Sequence, residues 1–189
     1  RLTPDQGFGE AGLKQVGWAL TKQQKNGWFA SNCLELPNMP LTHTIGYVLR
    51  GVIEAYKFSG DPNLLAAAQR TADALLTVIE PDGRIAGRLD HEWKPAVEWV
   101  CLTGSVQIAA CWFILHSITG KTEYLEAAKL ANRYVRRTVY MTGNPDVVGG
   151  VRGAYPVNGD YGRYEYLNWA AKFCVDSQLM EMAVLEQIR

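Results

Sequence analysis

Residues 41–87 read LTHTIGYVLRGVIEAYKFSGDPNLLAAAQRTADALLTVIEPDGRIAG, and residues 102–153 read LTGSVQIAACWFILHSITGKTEYLEAAKLANRYVRRTVYMTGNPDVVGGVRG. The second stretch repeats the first. Leu41-Thr42 corresponds to Leu102-Thr103, Ser59-Gly60 to Thr119-Gly120, and Leu65 to Leu125. Gly83 and Gly87 correspond to Gly149 and Gly153. The period is about 60 to 66 residues, enough for two helices and a loop. Each copy reads as a helix, a glycine corner, a second helix and a glycine-bearing loop. One such hairpin cannot bury its apolar face alone, so the copies must stack.

Apolar spacing carries the helical reading. Ile45, Val48, Leu49, Val52, Ile53 and Tyr56 form one stripe. Leu64, Leu65, Ala68, Ala72, Leu75, Leu76 and Ile79 form another. Both follow the i, i+3, i+4, i+7 pattern of a buried helix face. The stretch Val106–Ile118 is apolar nearly all round, which predicts a helix enclosed by neighbours. Gly60 suits a left-handed helix end, Asp61 an N-cap and Pro62 a first turn; Gly120 with Thr122 offers the same arrangement. A third copy starts at Leu167-Asn168 and covers one helix. A half copy precedes the first, with a helix over Glu10–Gln24 and Asn26-Gly27-Trp28-Phe29 in place of the glycine loop.

The 189 residues are 48% hydrophobic, enough for one substantial core. The reading is one helical-hairpin domain over 1–189, or a fragment of a larger barrel. Lys+Arg and Asp+Glu number 19 each, so no basic surplus points to nucleic acid. No apolar run suggests a membrane span, and the N-terminus lacks a signal-peptide pattern, so the expected location is cytoplasmic. Cys33, Cys101, Cys111 and Cys174 form no CxxC pair, and three lie in apolar helical surroundings that predict buried thiols. Nothing in the motifs calls for a metal or other cofactor. The phase of the repeat leaves a second helix at one end and a first helix at the other. Those two can pair to close a small ring; unpaired, their apolar faces predict a homodimer.

The hairpins, together with Gln23-Gln24-Lys25-Asn26-Gly27-Trp28-Phe29, resemble the α/α toroid group. That group holds terpenoid cyclases, protein prenyltransferases and six-hairpin glycosidases. The QQ-x-x-G-W stretch is similar to the glutamine–tryptophan repeats of triterpene cyclases. Residues 149–172 resemble part of an uncharacterised bacterial branch of toroids that accompanies polysaccharide metabolism. The resemblance implies an all-α toroid, or partial toroid, of repeated antiparallel hairpins. The DxDD and DDxxD acidic clusters of cyclases are missing, and His43, His91 and His116 have no ligand-like cysteine spacing. The fold resemblance stands without those chemistries.

Chemistry is expected in the loops 26–40, 81–101 and 142–167, which the repeat gathers at one end. They are longer than ordinary connections. They hold Trp28, Phe29, Trp93, Trp99, Tyr155, Tyr161, Tyr164 and Tyr166. Such aromatics can stack on sugar rings, or can instead cover the ends of the core. Asp90, His91 and Glu92 in the second loop and Asp160 in the third are the catalytic candidates. Glycoside hydrolysis needs two carboxylates about 5 to 9.5 Å apart. Asp90 or Glu92 with Asp160 can supply them; each can instead be a solvated loop residue or a helix cap, and Asp90 can pair with Arg84, Arg88 or Lys94. His43, at a helix start, can donate to a ligand or act as a base.

Trp28, His43, Trp93, Arg152, Tyr155, Tyr161 and Tyr164 are the candidate binding residues. Arg152, Tyr155 and Tyr161 also admit lyase or epimerase chemistry, in which an arginine neutralises a uronate beside the proton removed. The expected ligand is a carbohydrate or other small molecule. The alternatives are a cyclase-like protein with an apolar ligand and a non-catalytic helical scaffold. Gly149-Gly150-x-x-Gly153 lacks the strand and Lys-Ser/Thr of a phosphate loop.

Overall fold

The computed structural model describes residues 6–188. Six helices follow in order: α1 (Phe8–Leu20), α2 (Thr42–Ser59), α3 (Pro62–Leu76), α4 (Leu102–Thr119), α5 (Thr122–Thr138) and α6 (Asn168–Ile188). Two short strands, β1 (Val100–Cys101) and β2 (Ala154–Tyr155), pair antiparallel with Val100 opposite Tyr155. The chain is an all-α partial toroid of antiparallel hairpins, as the repeat predicts.

The corners form as their chemistry requires. Gly60 closes α2 at φ 73° and donates its N–H to the Tyr56 carbonyl. The Asp61 side chain accepts from the Asn63 N–H at 2.9 Å, and Pro62 opens α3. Gly120 closes α4 at φ 73° in the same way. Thr122 is the first residue of α5, as Pro62 is of α3, and Lys121 holds the cap position with no side-chain cap bond. The first helix differs from expectation. It runs from Phe8 to Leu20 and stops there because the Thr21 hydroxyl and N–H both turn back on the Trp18 carbonyl.

Two rows result. Helices α2, α4 and α6 lie side by side, with α4 in the middle. Helices α1, α3 and α5 stand behind them; α3 pairs with α2, and α5 with α4. Every residue of α4 from Leu102 to Phe113 is buried, as is Leu115. By length and composition α4 could cross a membrane, with a mean hydropathy of 1.3, but 72% of it is buried inside the protein. Its apolarity is that of a core helix. Trp112 is fully buried there and donates its indole N–H to the Ala72 carbonyl at 3.2 Å. Cys101, Cys111 and Cys174 are buried free thiols, as expected.

The glycine loops repeat the same contact. Gly27, at φ 84°, lies so close to α3 that a Cβ would meet the Arg70 carbonyl oxygen at 2.5 Å. Gly83, at φ 95°, would meet the Leu130 carbonyl oxygen of α5 at 2.1 Å. Each loop is thus clamped on the next helix of the back row. The loops are also joined to one another: Thr42 N–H donates to Gly87 O, and Leu102 N–H to Gly153 O, both at 3.0 Å. These joins hold the N-terminal ends of α2 and α4 against the loops. The row stays open, because α1 packs on α2 whereas α6 packs on α4 and α5.

Two glycines therefore have different roles. Gly60→Ala meets open space and only a left-handed φ, so it should cost about 1 kcal/mol. Gly83→Ala meets a backbone oxygen as well and should cost about 3 kcal/mol or more. Urea unfolding of the two variants measures the difference.

Candidate functional site at the N-terminal ends of the front helices

An aromatic ladder crosses the N-terminal ends of α2 and α6. His43, in the first turn of α2, lies 4.6 Å from Tyr47 and 5.2 Å from Tyr161, centroid to centroid. Tyr47 lies 5.9 Å from Phe173 of α6. Trp169 donates its indole N–H to the Tyr161 hydroxyl at 2.9 Å. Beside the ladder is a cleft of about 340 Å³ between α2, α4 and α6, lined by Tyr47, Phe173, Arg50, Gln107, Lys172 and Asp176. Lys172 pairs with Asp176 at 2.7 Å, and Arg50 with Glu54 at 2.8 Å. The cleft thus combines aromatic faces with charged and amide groups.

His43 is oriented by Gln107, whose Oε1 lies 2.7 Å from Nδ1. Burial holds the imidazole below its usual pKa, while the Gln107 bond opposes the shift. The ring is therefore neutral at pH 7. With its Nδ1 proton on Gln107, Nε2 keeps a free lone pair. Burial, and secondarily the neighbouring Cys101, push Tyr161 up to about 12. Its hydroxyl stays protonated and can donate.

Two hollows flank the segment 31–41. The first, about 570 Å³, is lined by Asp90, His91, Trp28, Gln24 and Asn38, among others. The second, about 410 Å³, is lined by Asp160, Tyr161, Glu35, Thr44 and Cys33, among others. Asp90 and Asp160 thus line different hollows, while Asp160 shares one with Glu35. Burial pushes the Cys33 thiol up, but hydrogen bonds from the backbone at Leu36 and Glu35 and from Arg88 outweigh it, leaving the thiol below its usual range.

The remaining candidates have these positions. Asp90 caps its own turn, its Oδ1 accepting from the Glu92 N–H at 2.9 Å and the Lys94 N–H at 2.8 Å. Glu92 is exposed and ion-paired with Lys94, which holds its carboxyl below the usual range. His91 is exposed, and its carbonyl accepts from Asn26 Nδ2. Trp28 and Trp93 are buried edge to face at 5.3 Å, and the Trp93 indole N–H donates to the Asn26 carbonyl at 3.0 Å. Arg152 is buried; it donates to the Thr138 carbonyl at 2.7 Å and the Tyr166 hydroxyl at 3.2 Å, and lies over the Tyr140 ring. Tyr155 is exposed with its ring edge toward Tyr134, and Tyr164 is exposed beside Arg163. Of the eleven candidates, Asp160, Tyr161 and His43 lie together, and Asp90, His91, Trp28 and Trp93 gather at the other hollow. Among the described residues no group of three His, Cys, Asp or Glu is arranged to hold a metal ion.

Sequence reasoning missed Tyr47, Phe173, Gln107 and Glu35. Gln107 did carry a signal, as a lone amide in an apolar helix. Tyr47 and Phe173 carried none, because only the juxtaposition of α2 and α6 brings them together.

Several solved structures share this fold. The chain superposes on the Lin0763 protein from Listeria innocua with a TM-score of 0.71 at 13% identity, covering 97% of this chain and 49% of that one. It superposes on the unsaturated glucuronyl hydrolase of Bacillus sp. GL1 with a TM-score of 0.60 at 18% identity, covering 76% and 39%. A similar match, with a TM-score of 0.61 at 12% identity, is to an alpha-amylase from Clostridium perfringens, covering 92% and 54%. The chain spans about half the length of these relatives or less. No family model and no curated protein matches the sequence. The likeness establishes the α/α toroid fold.

The His43 assignment has a direct check. Its Cε1 proton should titrate below the usual 6.5, and Gln107→Leu should lower the midpoint further, as followed by NMR. Because the folded pKa is depressed, this histidine stabilises the fold fully above pH 6.5. That contribution should drain away as pH falls from there through the folded pKa. Melts of wild type and His43→Gln should diverge least in the acid range.

Proposed function

We propose that this is a carbohydrate-active protein whose ligand lies along the aromatic ladder, at the end of the front row where the glycine loops meet the helices. One observation carries the reading. Tyr161 lines the hollow that holds Asp160 and Glu35, and it also contacts His43. The ladder then leads through Tyr47 to the cleft. Carboxylates and stacking rings are thereby continuous, the combination a sugar-processing site needs.

The chemistry assigned is carboxylate-based glycoside cleavage. Asp160 and Glu35 are the acid and the base or nucleophile. Glu35 also lies 3.7 Å from the buried Arg88 guanidinium. His43 Nε2 and the Tyr161 hydroxyl bind sugar hydroxyls. The similarity to a glucuronyl hydrolase and an amylase supports this class. The charged lining of the cleft favours a polar ligand over an isoprenoid.

A thermal-shift screen with neutral and uronic oligosaccharides should show a raised melting temperature with at least one sugar. Tyr47→Ala should remove most of that shift. Glu35→Gln and Asp160→Asn should each lower hydrolysis of the sugar found by about 10² to 10⁴-fold while the melting shift persists. Loss of activity in Asp90→Asn, with both of those variants active, would move the chemistry to the other hollow.

A further inference from the structure

The hollow that holds Asp90 has no part in the ladder, yet it is the larger of the two beside the segment 31–41, at about 570 Å³ against 410 Å³. Two stretches of chain build it. The one between α1 and α2 supplies Gln24 and Asn38, and the one between α3 and β1 supplies Asp90 and His91. They are joined to each other through Asn26, which donates to the His91 carbonyl at 2.9 Å and accepts the Trp93 indole N–H at 3.0 Å. Trp28 and Met39 add apolar surface to the lining.

Asp90 is left without a counter-charge. Three cations lie near it in the sequence, and each is engaged elsewhere. Arg84 pairs with Glu80 and Glu98. Arg88 is buried, donates to the Met39 carbonyl and lies 3.7 Å from Glu35. Lys94 turns its ammonium to Glu92. Among the described residues no lysine or arginine lines the hollow, and Asp90 makes no ion pair. The Glu92 and Lys94 N–H groups both donate to Asp90 Oδ1, which holds the carboxyl in one orientation and leaves Oδ2 without a partner. The side-chain amides of Gln24 and Asn38 and the His91 imidazole make no hydrogen bond among the described residues either.

These groups have a common complement. A carboxylate without a counter-ion repels anions and makes its strongest hydrogen bond to a cationic donor. Amides both donate and accept, as hydroxyls do. We propose that this hollow is a second binding site, separate from the ladder, for an amine-bearing sugar. The ammonium sits on Asp90 Oδ2, the hydroxyls meet Asn38, Gln24 and His91, and the apolar face of the ring lies toward Trp28 and Met39. The same carboxylate turns uronates away.

An NMR titration of the backbone amides tests this at mildly acidic pH, where the sugar amine is protonated. Glucosamine should shift the Glu92 and Lys94 resonances saturably, since both N–H groups donate to Asp90. N-acetylglucosamine and glucuronate should each bind about tenfold more weakly or worse, the factor that one hydrogen bond to a charged group carries. Asp90→Asn should cost glucosamine the same factor. Its amide oxygen can still accept both N–H groups, so the turn persists, and an otherwise unchanged amide spectrum checks that. Asn38→Ala should weaken glucosamine several-fold. Glucosamine without a saturable shift, equal affinity for N-acetylglucosamine, or binding that survives Asp90→Asn would each overturn the proposal. Ethylamine binding as tightly as glucosamine would do so too, because the sugar hydroxyls would then contribute nothing.

Discussion

The structure depends on enclosing α4. An 18-residue helix with no polar face cannot rest on a surface. It must be surrounded, and α2, α5 and α6 surround it. The outward consequences follow in order. The hairpins place α3 and α5 behind the front row, and the loops that re-enter the front row all reach its N-terminal end. Gly27 and Gly83 then fix those loops at van der Waals distance from helix backbone, where any side chain would force them away. The candidate site's position is thus a product of core packing, and its side chains are those that the packing leaves over.

The divisions within the loops show how packing and chemistry share the same residue types. Trp28, Trp93 and Arg152 have the composition of a sugar site. Yet the tryptophans are buried against each other, and the arginine spends its donors on a carbonyl and a hydroxyl. These groups hold the loops in shape. The ladder of Tyr161, His43, Tyr47 and Phe173 remains partly open, with a neutral imidazole and a protonated phenol beside it.

Much of the fold was legible because its signals are local or periodic. The corner Gly60-Asp61-Pro62 states its own conformation, and the repeat of Gly27, Gly83 and Gly149 announces equivalent loops. The second corner repeats the first with Thr122 opening α5, although Lys121 makes no side-chain cap bond where Asp61 does. The site was less legible because it is assembled across distance. Asp160 and Glu35 are far apart in sequence and meet only through the positions of their loops. Asp90 looked equally chemical, but its turn places it beside Trp28 and His91. No periodicity distinguishes those two outcomes.

Three histidines report on the central claim, since His43 sits on the ladder, His91 beside the other hollow and His116 at the far end of α4. The most direct measurement is an NMR titration of their Cε1 resonances with the oligosaccharide that gives the largest thermal shift. A sugar bound along the ladder should move the His43 resonance and leave His91 and His116 unchanged. Movement of His91 with His43 unaffected would contradict the account.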